Sequence, residues 1–138
     1  MDGYSRLSQI ILVFGSGLIG GYLLEFIYRS TMNKRIQKPL FINAQMYGTS
    51  ALFMYFLSFS TMLIILRLIL IMTFPIAVEL LVGYSYLKIR GIRLWDYSSY
   101  SFNYRGYICL RFAIYWTVLA LIYYYFILPL LVSNVYFF

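Results

Sequence analysis

Between Tyr47 and Leu87 only two charged residues, Arg67 and Glu79, interrupt a run dominated by apolar side chains. A helix crosses a bilayer with about twenty predominantly apolar residues. A run of this length therefore holds two crossings joined by a tight turn, which we place near Thr61–Arg67. Two further runs, Ile10–Tyr28 and Tyr107–Leu131, are each long enough for one more. The first is long for a signal-peptide core, has no basic stretch before it and no Ala-x-Ala-like site after it, so it reads as a retained helix. The expected fold is all-α: a polytopic four-transmembrane-helix bundle with spans near 10–28, 47–62, 66–87 and 107–131. No polar block is long enough for a separate soluble domain, so residues 1–138 form a single integral membrane domain.

Charge is scarce and unevenly placed. Only 11% of residues are charged, and the net charge is +7, against about a quarter charged in soluble domains. Arg29, Lys34, Arg35 and Lys38 follow the first run, and Lys88, Arg90, Arg93 and Arg105 separate the third from the fourth. The opposite side holds Arg6 and Arg67. The positive-inside rule places both basic loops in the cytoplasm and both termini outside, in a bacterial cytoplasmic membrane. This concentration in short loops suits the lipid bilayer and its anionic headgroups, not nucleic acid.

With no histidine and a single cysteine, Cys109, the chain offers no His-based catalysis, no His/Cys metal site and no intrachain disulfide. It also lacks the GxxxxGK[ST] phosphate loop. No cofactor is implied, and the balance leans against an enzyme.

Glu25 and Glu79 stand inside apolar runs, where a charge costs roughly 2.5–3.5 kcal/mol by insertion scales and marks a functional candidate. Gly17, Gly21 and Glu25 are four apart and share a helix face. The Gly17-x-x-x-Gly21 pair permits close helix approach, with Ser16 and Gly20 widening the stripe; plain helix packing is its simpler role. Pro75, Glu79 and Gly83 form a second such row. Pro75 frees the Ile71 carbonyl and can kink the helix. Glu25 and Arg111 lie at similar depth and are expected to pair. Glu79 lies about 12 Å from its cytoplasmic end, at 1.5 Å per residue, with no cation at that depth. It is the stronger candidate for a proton- or substrate-linked site, although a buried structural Glu is the simpler alternative.

The loop LWDYSSYSFNYRGYICL is rich in interfacial aromatics, among them Trp95 and Tyr97. Asp96 and Asn103 are turn-forming acceptors. Asp96 is expected to accept from the Ser98 or Ser99 amide, or to pair with Arg93 or Arg105. The order of motifs through this region resembles that of small bacterial membrane proteins of the CmpB-type ABC-transporter permease family. The matching positions are Gly21, Glu25 and Tyr28; Asn43, Tyr47 and Gly48; Glu79 and Gly83; Trp95, Asp96, Tyr97 and Ser98; Phe102, Asn103 and Gly106; Ile108, Cys109 and Leu110; and Trp116. The chain departs from the pattern at Gln45-Met46, at Arg111 and at Trp116-Thr117. The resemblance implies a transport-associated membrane protein, a permease-like subunit working as a homo-oligomer or with another membrane subunit, energised by a separate ATPase or a proton gradient.

Two other readings stay open. One is a non-catalytic membrane partner such as a chaperone, sensor or immunity subunit. The other is an intramembrane enzyme using Glu25, Glu79 and Asp96 on lipid or peptide; it lacks an activated nucleophile pair.

Overall fold

The computed structural model describes residues 3–34 and 40–132. These are mostly helical: α1 (Gly3–Asn33), α2 (Phe41–Ser58), α3 (Ile64–Arg90) and α4 (Leu110–Ile122), then a π-helical turn (Tyr123–Ile127) and α5 (Leu128–Leu131). A two-stranded antiparallel ribbon, β1 (Asn103–Tyr104) with β2 (Ile108–Cys109), is the one departure from all-α among the described residues. Arg35, Lys38 and Pro39 of the first basic loop lie outside the described residues.

Among the described residues three helical stretches are long and apolar enough to cross a membrane: Arg6–Met32, Ile64–Arg90 and Leu110–Leu131. The expected second span behaves differently. Its helix starts at Phe41 and ends at Ser58, 18 residues in all, and Asn43 and Gln45 dilute its apolar character. The break before α3 falls at Phe59–Leu63, not Thr61–Arg67. Arg67 is therefore not a turn residue: it lies in the first turn of α3 and is only 4% exposed.

The chain divides into two compact units. One contains α1, α2, the π turn and α5; the other contains α3, the loop and α4. In the first, α1 and α2 meet at backbone distance. A Cβ on Gly17 would stand 2.7 Å from Ala51 Cβ and 2.9 Å from the Tyr47 carbonyl oxygen. A Cβ on Gly21 would collide with the Tyr47 ring, and Gly48 of α2 faces Phe14 just as closely. Gly17 and Gly21 thus face α2, whereas Gly20 has open space beside it. Ser16 instead donates to the Val13 carbonyl and lies 2.7 Å from the Tyr123 hydroxyl. Away from this seam α1 is apolar and exposed at Ile11, Ile19, Leu23 and Ile27, as a lipid-facing helix must be.

In the second unit the buried residues of α3 are Arg67, Ile71, Pro75, Glu79 and Gly83, one row at a spacing of four. The helix continues through Pro75, so the missing N–H costs a hydrogen bond without ending the element. A second proline acts further along. Pro129 has no N–H to return to the Tyr125 carbonyl, and the chain just before it is wound as a π turn, a common local response to a broken helical ladder.

Candidate functional site

The candidate site is built around Glu79, which is 3% exposed. Its Oε1 accepts a 2.8 Å hydrogen bond from the Tyr97 hydroxyl. Tyr97 belongs to the loop, and reaching Glu79 means that the loop folds back along α3. Glu79 is eleven residues before Arg90, about 16 Å at 1.5 Å per residue. Trp95 makes the same return journey. Its indole lies over Gly83, where an added Cβ would be 3.0 Å from the ring, and its Nε1 donates to the Tyr107 carbonyl at 2.9 Å. Gly83 is thus the seat of a tryptophan, one turn beyond the carboxylate.

Tyr97 is clamped on its other sides. Its ring stacks on Phe112 of α4 at 4.7 Å and 15°, more loosely on Trp95 at 6.5 Å, and meets Tyr100 edge-on. The hydroxyl consequently has one place to point.

The loop backbone is held by two side chains. Asn103 donates through Nδ2 to the carbonyls of Tyr100 at 2.8 Å and Ser98 at 3.3 Å, and its Oδ1 accepts from the Gly106 amide at 3.0 Å. Asp96 Oδ1 accepts from the Ser98 amide at 3.0 Å and lies 3.7 Å from Arg93. The Ser98 hydrogen bonds, and secondarily the Arg93 charge, hold the Asp96 carboxyl below the usual carboxylate range. Gly106 has φ +74°, and a Cβ there would fall 2.5 Å from Asp96 Oδ1 and 2.7 Å from Arg93 Nη1. Only glycine combines that backbone with that space. Trp95, Asp96, Tyr97, Ser98, Asn103 and Gly106 thus act together, each fixing the path that carries one hydroxyl to Glu79.

Glu25 and Arg111 lie in different units. Glu25 pairs with Arg29, Nε to Oε2 at 2.7 Å, an i,i+4 pair within α1. Arg111 donates to the Tyr115 hydroxyl at 3.3 Å and stands over the Tyr100 ring. Two partners were overlooked in the sequence. The Arg29 pairing was legible from helical spacing alone. The Tyr97–Glu79 contact was not, because it depends on a loop reversal that no local pattern encodes. Among the described residues no cluster of His, Cys, Asp and Glu could hold a metal ion.

The family model described as putative ABC-transporter type IV, ABC_trans_CmpB, covers residues 12–138. The chain belongs to this family. No curated protein and no solved structure matches it. Membership and the three apolar helices make this a membrane protein associated with ABC-type transport.

Proposed function

We propose that this ABC_trans_CmpB protein is a permease-like membrane subunit of a transport system, working as a homo-oligomer or with a partner membrane subunit and a separate ATPase. Glu79 and the hydroxyl of Tyr97 form its functional polar centre. The observation that carries this reading is the 2.8 Å hydrogen bond between a buried carboxylate on a membrane-capable helix and a loop that doubles back to meet it. Ionisable groups at such depth are expensive and are kept for ion, proton or substrate handling. Irregular backbone at membrane level is tolerated where protein or a water-filled cavity covers it.

Helix lengths refine the depth. At 1.5 Å per residue α3 is about 40 Å long, against a hydrocarbon core of about 30 Å. Phe112, two residues into α4, stacks on the tyrosine that reaches Glu79. On these lengths Glu79 lies close to the level where the last span begins, nearer one membrane face than the other. A carboxylate there is a gate or entry site more naturally than a central binding site.

The test is purification in mild detergent with mass spectrometry of what accompanies the protein, then reconstitution for flux measurements with wild type, Glu79→Gln and Tyr97→Phe. Co-purification of an ATPase, or gradient-driven flux lost in Glu79→Gln, supports the proposal. A protein that brings no ATPase and passes no solute or proton under any gradient, with wild type equal to Glu79→Gln, removes it.

A further inference from the structure

The loop between α3 and α4 holds two non-glycine residues in the left-handed region. Phe102 is held at φ +52°, in the left-handed region, with its ring 83% exposed. A bulky residue in that conformation is a genuine outlier, and such strain concentrates at functional surfaces. Arg105, three residues on, is also left-handed at φ +50° and exposed. The turn thus exposes a phenyl ring, the Tyr104 ring and a guanidinium within four residues.

The charge around this turn is one-sided. Lys88, Arg90, Arg93 and Arg105 are exposed, and Asp96 is the only acid between residues 80 and 138. Aromatic faces back three of these cations, and the Asp96 carboxylate also lies 3.7 Å from Arg93. Arg105 stands 5.7 Å over Tyr104, Arg93 5.2 Å over Tyr107, and Lys88 5.7 Å over Tyr84. A guanidinium on a ring is positioned but keeps its charge and its outward N–H groups.

Depth decides what such a surface meets. α3 exceeds the hydrocarbon thickness by about 10 Å. Because Trp95 lies on Gly83 and Tyr97 reaches Glu79, the loop packs beside the last turns of α3. Lys88 and Arg90 in its last turn, with Arg93 and Arg105 of the loop, keep this end of α3 out of the hydrocarbon, so its last turns and the loop share the headgroup layer. In that layer an exposed phenyl ring reaches the acyl boundary while neighbouring cations face phosphate.

We propose that the Phe102–Arg105 turn, with Arg93, is a binding surface for anionic phospholipid. The guanidinium groups of Arg105 and Arg93 take the acidic headgroup, and Phe102 buries among the acyl chains. Insertion of the ring offsets the strain at φ +52°.

The protein reconstituted in phosphatidylcholine vesicles, probed by electron spin resonance with spin-labelled phosphatidylglycerol or spin-labelled phosphatidylcholine, tests this directly. We expect the motionally restricted fraction to favour phosphatidylglycerol. Arg105→Gln should lower that preference about fivefold, as expected for one surface cation, and high salt should lower it in wild type. Arg105→Gln is the informative variant, because Arg93 also donates to the Arg105 carbonyl at 3.1 Å and holds the loop itself. Phe102→Ser should reduce the restricted fraction for both lipids. Equal restriction of the two lipids by wild type, or a preference unchanged in Arg105→Gln, overturns the proposal.

Discussion

Replacing Tyr97 with Phe deletes one oxygen and leaves the stack on Phe112 in place. It strips Glu79 Oε1 of its Tyr97 hydrogen bond in a buried setting, which costs about 1–3 kcal/mol. Thermal unfolding in detergent should therefore shift downward for Tyr97→Phe. Glu79→Gln keeps an acceptor oxygen for Tyr97 and should unfold near wild type. A flux defect in Glu79→Gln then reports lost proton or charge chemistry, not a lost fold. Gly106→Ala should be worse than either, since its positive φ and the crowding by Asp96 and Arg93 oppose any side chain. Asp96 adds a pH signature. Its carboxyl titrates below the ordinary range in the folded loop, so the fold favours the charged form. That contribution is complete above about pH 4, the unfolded carboxylate range, and fades as pH falls through the depressed folded value. Trp95 fluorescence followed into acid should show this step in wild type and lose it in Asp96→Asn.

The α1–α2 seam supplies an internal control at the level of elements. Gly20 and Gly21 are neighbours on one helix, yet Gly20 has open space while a Cβ on Gly21 strikes the Tyr47 ring. Gly20→Ala should hold or raise stability by up to about 1 kcal/mol through helix propensity. Gly21→Ala should lower it, because Tyr47 must move. Melting temperatures of the two single variants decide between this seam and a uniform small-residue stripe. The spacing of Gly17 and Gly21 made the seam legible, since four-residue periodicity is a local property. α2 was harder to place. Its first five residues include Asn43 and Gln45, so hydropathy alone starts the helix late, although the backbone is already helical at Phe41. Arg67 looked like punctuation because charge ordinarily marks a loop, whereas the helix restarts at Ile64 and buries it. The loop reversal that joins Trp95 to Gly83 and Tyr97 to Glu79 lay beyond local pattern altogether. Its residues were conspicuous, but their partners are set by tertiary packing.

Whether α2 crosses the membrane fixes the topology of the whole chain. α2 is 18 residues, about 27 Å, just short of a hydrocarbon core of about 30 Å. It falls outside the helices that are apolar enough by composition. Loop charge supplies the deciding argument. If α2 crosses, the basic residues Arg29, Lys34, Arg35 and Lys38 share a face with Lys88, Arg90, Arg93 and Arg105. If it does not, the two groups lie on opposite faces, against the bias that orients short loops. Burial of Arg67 within α3 strengthens the first arrangement, because it leaves Arg6 as the only exposed cation among the described residues assigned to the other face. We therefore expect four crossings with both ends on the face away from the basic loops. Fusions of alkaline phosphatase and of a fluorescent protein at the two ends and within loop 91–102 check this. Phosphatase activity should appear at both ends and fluorescence in the loop. Opposite reporters at the two ends would mean three crossings, and would move the Glu79 site and its basic loop to the face opposite the first basic loop.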